Sequence, residues 1–61
     1  MEPNLVERLK KFHEEEGVSY KTVARNIDVS IGVMYNFTSD IRDLKPGAAE
    51  RLDQYLKEHG Y

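Results

Sequence analysis

The absence of cysteine is the feature that most constrains this fold, because the chain has only 61 residues. Without cysteine, neither a disulfide framework nor a Cys-ligated zinc ion can stabilise the domain. A chain of this length forms about one small domain, whose stability must come from side-chain packing alone. Hydrophobic residues make up 39% and charged residues 33% of the chain. That balance is typical of a globular protein rather than a disordered or membrane-spanning one.

The sequence shows no sign of membrane insertion or export. No apolar run approaches the roughly 20 residues that a transmembrane helix needs. The first residues, Met1–Asn4, lack the basic region and the apolar stretch of a signal peptide. We therefore expect an intracellular, cytoplasmic protein with no membrane partner.

Apolar residues at helical spacing predict an all-α chain with helices near 4–16, 19–27, 30–38 and 46–59. Each predicted helix begins at a residue that favours a helix start, either as an N-cap or as a first-turn proline: Asn4, Ser19, Ser30 and Pro46. Gly17 and Gly60 follow the first and last helices, and Asp28, which tolerates left-handed backbone, ends the second.

The third helix is the least obvious of the four. The segment 29–39 carries no charged residue, and its β-branched residues would also suit a strand. A serine cap at Ser30 together with the staple spacing of Val29 and Met34 favours a helix instead.

One apolar face on each helix supplies the predicted core, which consists of Leu5, Leu9, Phe12, Val23, Ala24, Ile27, Val29, Met34, Phe37, Leu52 and Leu56. We also expect Val33 to point inward and Ala49 to belong to the buried stripe of the last helix. Ile41 and Leu44 are expected to pack beneath the loop that follows the third helix.

Charge is unevenly distributed although the net charge is only −2. Both ends of the chain are acidic on balance, whereas residues 17–46 carry one more basic than acidic side chain. The basic residues of this middle part are Lys21, Arg25, Arg42 and Lys45. Any nucleic-acid surface should therefore lie in the middle of the chain.

The segment Tyr20–Phe37 is the most informative part of the sequence. It contains two capped helices separated by a turn of three to four residues, which is the arrangement of a helix-turn-helix. Ala24 allows the two helices to approach closely, and Val29 fills the turn. Met34 and Phe37 would hold the second helix roughly perpendicular to the first, with its other face outward.

The run YKTVARNIDVSIGVMYNF, set between two amphipathic helices, resembles the lambda-repressor/Cro-like helix-turn-helix family. Over most of its length the chain is also similar to the N-terminal DNA-binding domain of Mu B-type phage transposition proteins, through LKKFHEEEGVSYKTVARN, VSIGVMYNF and RLDQYLKEHG. The resemblance implies a compact four-helix lambda-repressor-like domain over residues 1–61. It would bind double-stranded DNA in a transcription regulator or in the transposition ATPase of a mobile element.

By this resemblance, the outward face of the third helix enters the major groove. The implied DNA-binding residues are Tyr20, Lys21, Arg25, Ser30, Ile31, Gly32, Tyr35, Asn36, Arg42 and Lys45. Ile31 would contact a thymine methyl group and Asn36 would pair with adenine, while the basic residues would contact phosphates. One copy should bind weakly, so self-association or further domains would be needed, and the protein would be nucleoid-associated.

Two features depart from the family pattern. Asp28 stands where the turn usually has glycine, and the third helix has no Arg or Gln in its first turn for bidentate base contacts. The acidic balance and the uncharged segment 29–39 leave a protein–protein interaction module as the alternative function.

The sequence offers little support for metal binding or catalysis. His13 and His59 are the only histidines, and Gly17 interrupts the HExxH zinc motif that would otherwise begin at His13. The chain has no plausible acid–base pair and little room for a cleft, so we expect no enzyme, no cofactor and no metal.

Overall fold

A computed structural model of the chain describes residues 4–61, so the expectations that concern Met1–Pro3, including the absence of a signal peptide, lie outside the described residues. Within the described part, the chain forms four helices and no strand, which confirms the all-α prediction. The helices are α1 (Leu5–Glu16), α2 (Tyr20–Asn26), α3 (Ile31–Thr38) and α4 (Pro46–Glu58). None of these helices is long and apolar enough to cross a membrane.

Side-chain caps begin the first three helices at the predicted residues. Each cap satisfies a backbone N–H that has no partner inside its helix, which fixes where a short helix starts. The bonds join Asn4 Oδ1 to the Glu7 N–H (2.9 Å), Ser19 Oγ to the Thr22 N–H (3.2 Å) and Ser30 Oγ to the Val33 N–H (3.2 Å). The fourth helix has no side-chain cap and begins with Pro46 in its first turn.

A residue with left-handed backbone follows the regular part of each helix. These residues are Gly17 (φ 69°), Asp28 (φ 61°), Asp40 (φ 59°) and Gly60 (φ 84°). After α2, the Val29 N–H donates to the Ala24 carbonyl at 3.0 Å and the Asp28 N–H donates to the Arg25 carbonyl at 3.3 Å. This pair of bonds is the Schellman motif, which caps free carbonyls while it reverses the chain. The left-handed Asp28 agrees with the sequence prediction, which gave no such role to Asp40.

The core lies where the four helices meet. Its buried apolar residues are Leu9, Phe12, Val23, Ala24, Ile27, Met34, Phe37, Leu44, Ala48, Leu52 and Leu56. The predicted core is confirmed except at Leu5 and Val29, which pack against it but remain half-buried. Both lie where the chain enters a helix or leaves one, so solvent reaches one side of each.

Two predictions around α3 are wrong. Val33 does not point inward but is 38% exposed, because Met34 and Phe37 define the buried face and Val33 lies on its flank. Ile41 does not pack beneath the loop but is 73% exposed, since it directly follows the reversal at Asp40.

The loop and α4 bury a slightly different set than expected. Leu44 is buried, as predicted, whereas Ala49 is only half-buried and Ala48 takes its place in the core. Ala48 precedes Leu52 and Leu56 by one and two helical turns, so these three residues form the inward stripe of α4.

Arg8 joins α1 to α4. Its Nη1 donates to Asp53 Oδ1 at 2.6 Å, and its Nε donates to the main-chain oxygen of Tyr61 at 2.9 Å. Lys57 Nζ lies 3.1 Å from the other carboxylate oxygen of Asp53. Hydrogen bonds from Arg8 and then from Lys57 hold the pKa of Asp53 below its ordinary value.

We expect Asp53→Asn to lower the urea midpoint at neutral pH and to have little effect in acid. The pKa of Asp53 is lower in the folded state than in the unfolded state. Its contribution to stability is therefore present above the unfolded-state pKa and is lost as the pH falls through the folded-state pKa. Urea unfolding at both pH values tests this. Glu50→Gln, an exposed acid on the same helix, is the control, and an equal loss for Asp53→Asn at both pH values would contradict the prediction.

Candidate nucleic-acid interface

The two short helices α2 and α3 and the turn between them form the centre of the candidate site. Ala24 and Met34 lie in the common core, where they are 2% and 0% exposed, so α2 and α3 are held from their inner sides. Arg51 of α4 donates from Nε to the Ile27 carbonyl at 2.8 Å, which fixes the end of α2. The turn is therefore supported both by its own backbone bonds and by the last helix.

The outer surface of α3 is uncharged and largely apolar. Ile31 is 37% and Tyr35 is 55% exposed, and Gly32 is also exposed. Asn36, one turn after Gly32, is half-buried. This surface offers methyl groups, a phenol and an amide, so it suits contacts to base edges rather than ion pairs.

A surface cleft of about 450 Å³ opens beside the start of α3. Its basic lining residues are Arg42, Lys45 and Arg51, and Asp28 and Asp43 also line it. The first turns of α3 and α4 both border the cleft, through Ser30 and Val33 and through Gly47 and Ala48. Because helix N-termini carry partial positive charge, their presence beside three basic side chains suits an anionic group such as a phosphate.

Only some of the predicted site residues line the cleft. Ser30, Arg42 and Lys45 line it, whereas Lys21 and Arg25 do not. The last two are exposed and four residues apart, which places them on one outer face of α2. Two of the four predicted basic residues thus line the cleft, and the other two lie outside it.

Arg51 is the residue of this site that the sequence interpretation missed. In the sequence, Arg51 falls outside the apolar stripe of α4, as an ordinary exposed residue does. Its contact with the Ile27 carbonyl depends on the start of α4 lying beside the turn after α2. The only sequence signal was Pro46, a residue typical of a helix start. It places Arg51 in the first two turns of α4, but the sequence does not show that this end of α4 lies beside Ile27.

Tyr20 differs from the other predicted contact residues because its ring is already engaged. It is half-buried and stacks on His13, with ring centroids 4.2 Å apart. His13 is held in turn by a 2.6 Å hydrogen bond between Nδ1 and the Val18 carbonyl. Burial, followed by the negative charge of Glu14, raises the pKa of the Tyr20 hydroxyl, which stays protonated at neutral pH.

A second cleft, of about 530 Å³, lies between α2 and α4. Glu50 and Glu58 line it together with Arg51, and Asn26 Nδ2 donates to the Tyr55 hydroxyl oxygen at 3.3 Å across it. It has two carboxylates and one basic side chain, whereas the cleft beside α3 has two carboxylates and three basic side chains, so it is the poorer match for an anionic ligand. In the part of the chain from residue 4 onward, no His, Asp and Glu side chains are grouped as a metal site.

Comparison of the sequence with protein-family models and with curated proteins, and of the structure with solved structures, finds no significant match.

Substitutions at Asp28 test the reversal that positions α3. At φ 61° a side chain other than Asp, Asn or Gly is strained, so we expect Asp28→Ala to destabilise the domain by about 1 kcal/mol. Asp28→Gly should be at least as stable as the wild type, because glycine adopts this conformation freely. Urea unfolding measures the free energy of unfolding of the wild type and the two variants and so ranks their stabilities. Asp43→Ala removes an exposed aspartate with ordinary φ and should change stability by less than about 0.5 kcal/mol. An Asp28→Ala variant as stable as Asp28→Gly would contradict the role of the reversal.

Proposed function

We propose that this chain is a lambda-repressor-like helix-turn-helix domain that binds double-stranded DNA with α3 in the major groove. The observation that carries the proposal is the pairing of two surfaces at one end of α3. Its outer face is exposed and uncharged, and the adjacent cleft gathers Arg42, Lys45 and Arg51 with two helix N-termini. The first surface suits base edges and the second suits the phosphate backbone that borders them.

Binding by one copy should be weak. The three basic side chains of the cleft correspond to about three phosphate contacts and a salt slope of roughly −3 in a plot of log K against log salt. Asp28 and Asp43 add negative charge to the same cleft, and the net charge of the chain is −2. Useful affinity therefore requires a second copy or additional domains.

Two cellular roles fit such a domain. A transcription regulator of a phage or other mobile element would bind a palindromic site as a dimer. The DNA-binding domain of a transposition ATPase would instead bind with little sequence preference. Two copies bound to one palindromic duplex would support the first role, and equal affinity for unrelated duplexes would support the second.

Exposed apolar side chains support a protein–protein interaction module as the second candidate function. Ile31, Val33, Tyr35 and Ile41 are all at least 37% exposed and lie on or next to α3. A partner with a complementary apolar groove could bury this surface. The two functions differ in salt dependence, because burial of apolar area is not weakened by moderate salt.

An NMR titration of the labelled domain with a mixed-sequence duplex, at low and at moderate salt, tests the proposal. We expect salt-sensitive shifts in the amides of 30–36, Arg42 and Lys45. The acidic cleft between α2 and α4, with Glu50 and Glu58, should remain unaffected. If low salt produces no shifts, DNA binding is wrong and the surface of α3 becomes a docking site for protein.

The double variant Arg42→Ala/Lys45→Ala should weaken DNA binding and reduce the salt slope by about 2, one for each lost phosphate contact. Fluorescence anisotropy with a labelled duplex at several salt concentrations measures both quantities. Lys10→Ala/Lys11→Ala removes the same charge from α1, outside the cleft, and serves as the matched control. Equal losses in the two double variants would show that only net charge matters and would contradict the assigned cleft.

A further inference from the structure

Gly32 occupies a position where the fold itself does not require glycine. It is exposed in the first turn of α3, and its φ is not in the left-handed region. A Cβ atom added there would meet no atom within 4 Å apart from its own helix and immediate neighbours. Glycine inside a helix is less stable than alanine, so the domain loses stability here without any gain in its own packing. Space left open beside an exposed helix backbone is useful when a ligand must approach it closely.

Ile31 is the neighbouring residue, and it offers apolar surface at the same place. It is 37% exposed although it belongs to a helix that packs on the core. In the major groove, the apolar group on a base edge is the C5-methyl of thymine. Contact between that methyl and the Ile31 side chain would remove both from water, which is favourable.

The remaining polar chemistry of the α3 face also suits an A·T pair. Asn36 lies one turn after Gly32, and an asparagine amide can pair with N6 and N7 of adenine. The commonest contact to guanine needs Arg or Lys, and α3 has neither. The basic side chains Arg42, Lys45 and Arg51 beside α3 favour a nucleic acid, rather than an apolar protein groove, as the occupant of this face.

We infer that Ile31 and Gly32 form a close-approach point at which α3 contacts a thymine methyl group, so that the domain prefers A·T pairs to G·C pairs. This inference rests on the proposed DNA-binding function. The missing side chain at Gly32 brings the helix backbone close to the groove floor and the methyl groups of Ile31 meet the thymine. The half-buried Asn36, one turn after Gly32 on the same face of α3, offers its amide to an adenine.

Thymine and uracil differ only in this methyl group, so duplexes that contain one or the other isolate the contact. We would measure affinity for a 20-bp duplex of A·T pairs in mixed order and for the same duplex with uracil in place of thymine. Removing the methyl should weaken binding roughly fourfold for each methyl group in contact. A G·C duplex should bind less tightly than the thymine duplex, and replacing its cytosines with 5-methylcytosine should recover part of the loss.

Two variants assign the contact to the named residues. Ile31→Ala should abolish the difference between thymine and uracil duplexes. Gly32→Ala should raise the urea midpoint and yet weaken DNA binding, a combination that a purely structural role of Gly32 does not produce. A Gly32→Ala variant that binds as tightly as the wild type would overturn the close-approach point.

The outcomes separate this inference from the function on which it rests. Equal affinity of the wild type for thymine and uracil duplexes would overturn the inference while leaving DNA binding intact. A uracil effect that persists in Ile31→Ala would place the methyl contact elsewhere and would also overturn it. No binding to any duplex at low salt would overturn the proposed function itself.

Discussion

The reversal of the chain after each helix is the constraint on which this domain depends. The helices are 7 to 13 residues long, too short to be stable alone, so each must turn back at a defined residue to reach its neighbours. Left-handed backbone at one residue provides that turn after every helix, and the N–H of that residue donates back to a carbonyl of the helix. The last one even orders the final residue, since the Tyr61 N–H donates to the Leu56 carbonyl at 2.8 Å. The core then forms from helices whose directions are already set.

Local signals in the sequence were sufficient to predict most of this architecture. Caps such as Ser19 and Ser30 act through bonds within three residues, and they appear in the structure where the sequence placed them. The errors arose where a choice depended on distant residues. Val33 and Met34 are adjacent and both apolar, and only the position of the other helices determines which of them is buried. The same holds for Ala48 and Ala49 at the start of α4.

The candidate site was less predictable than the fold, for the same reason. The sequence placed Arg42 and Lys45 near the end of α3, because they follow it directly in the chain. Arg51 joined them only in the structure, since its approach to the Ile27 carbonyl is a contact between residues far apart in sequence. Tyr20, which was predicted from the family pattern, has an internal contact that the pattern does not reveal. Its ring stacks on His13, so the contact surface it offers is smaller than an exposed tyrosine would provide.

Asp28 combines two properties in one side chain. It provides the left-handed backbone that ends α2, and it contributes a negative charge to the cleft beside α3. Glycine meets the first requirement without the second, and the codons for aspartate and glycine differ by a single A-to-G transition at the middle base. One common type of point mutation can therefore remove this charge while the chain reversal is retained. In evolutionary terms, the charge of this surface can change in one mutational step, and no unfolded variant has to arise on the way.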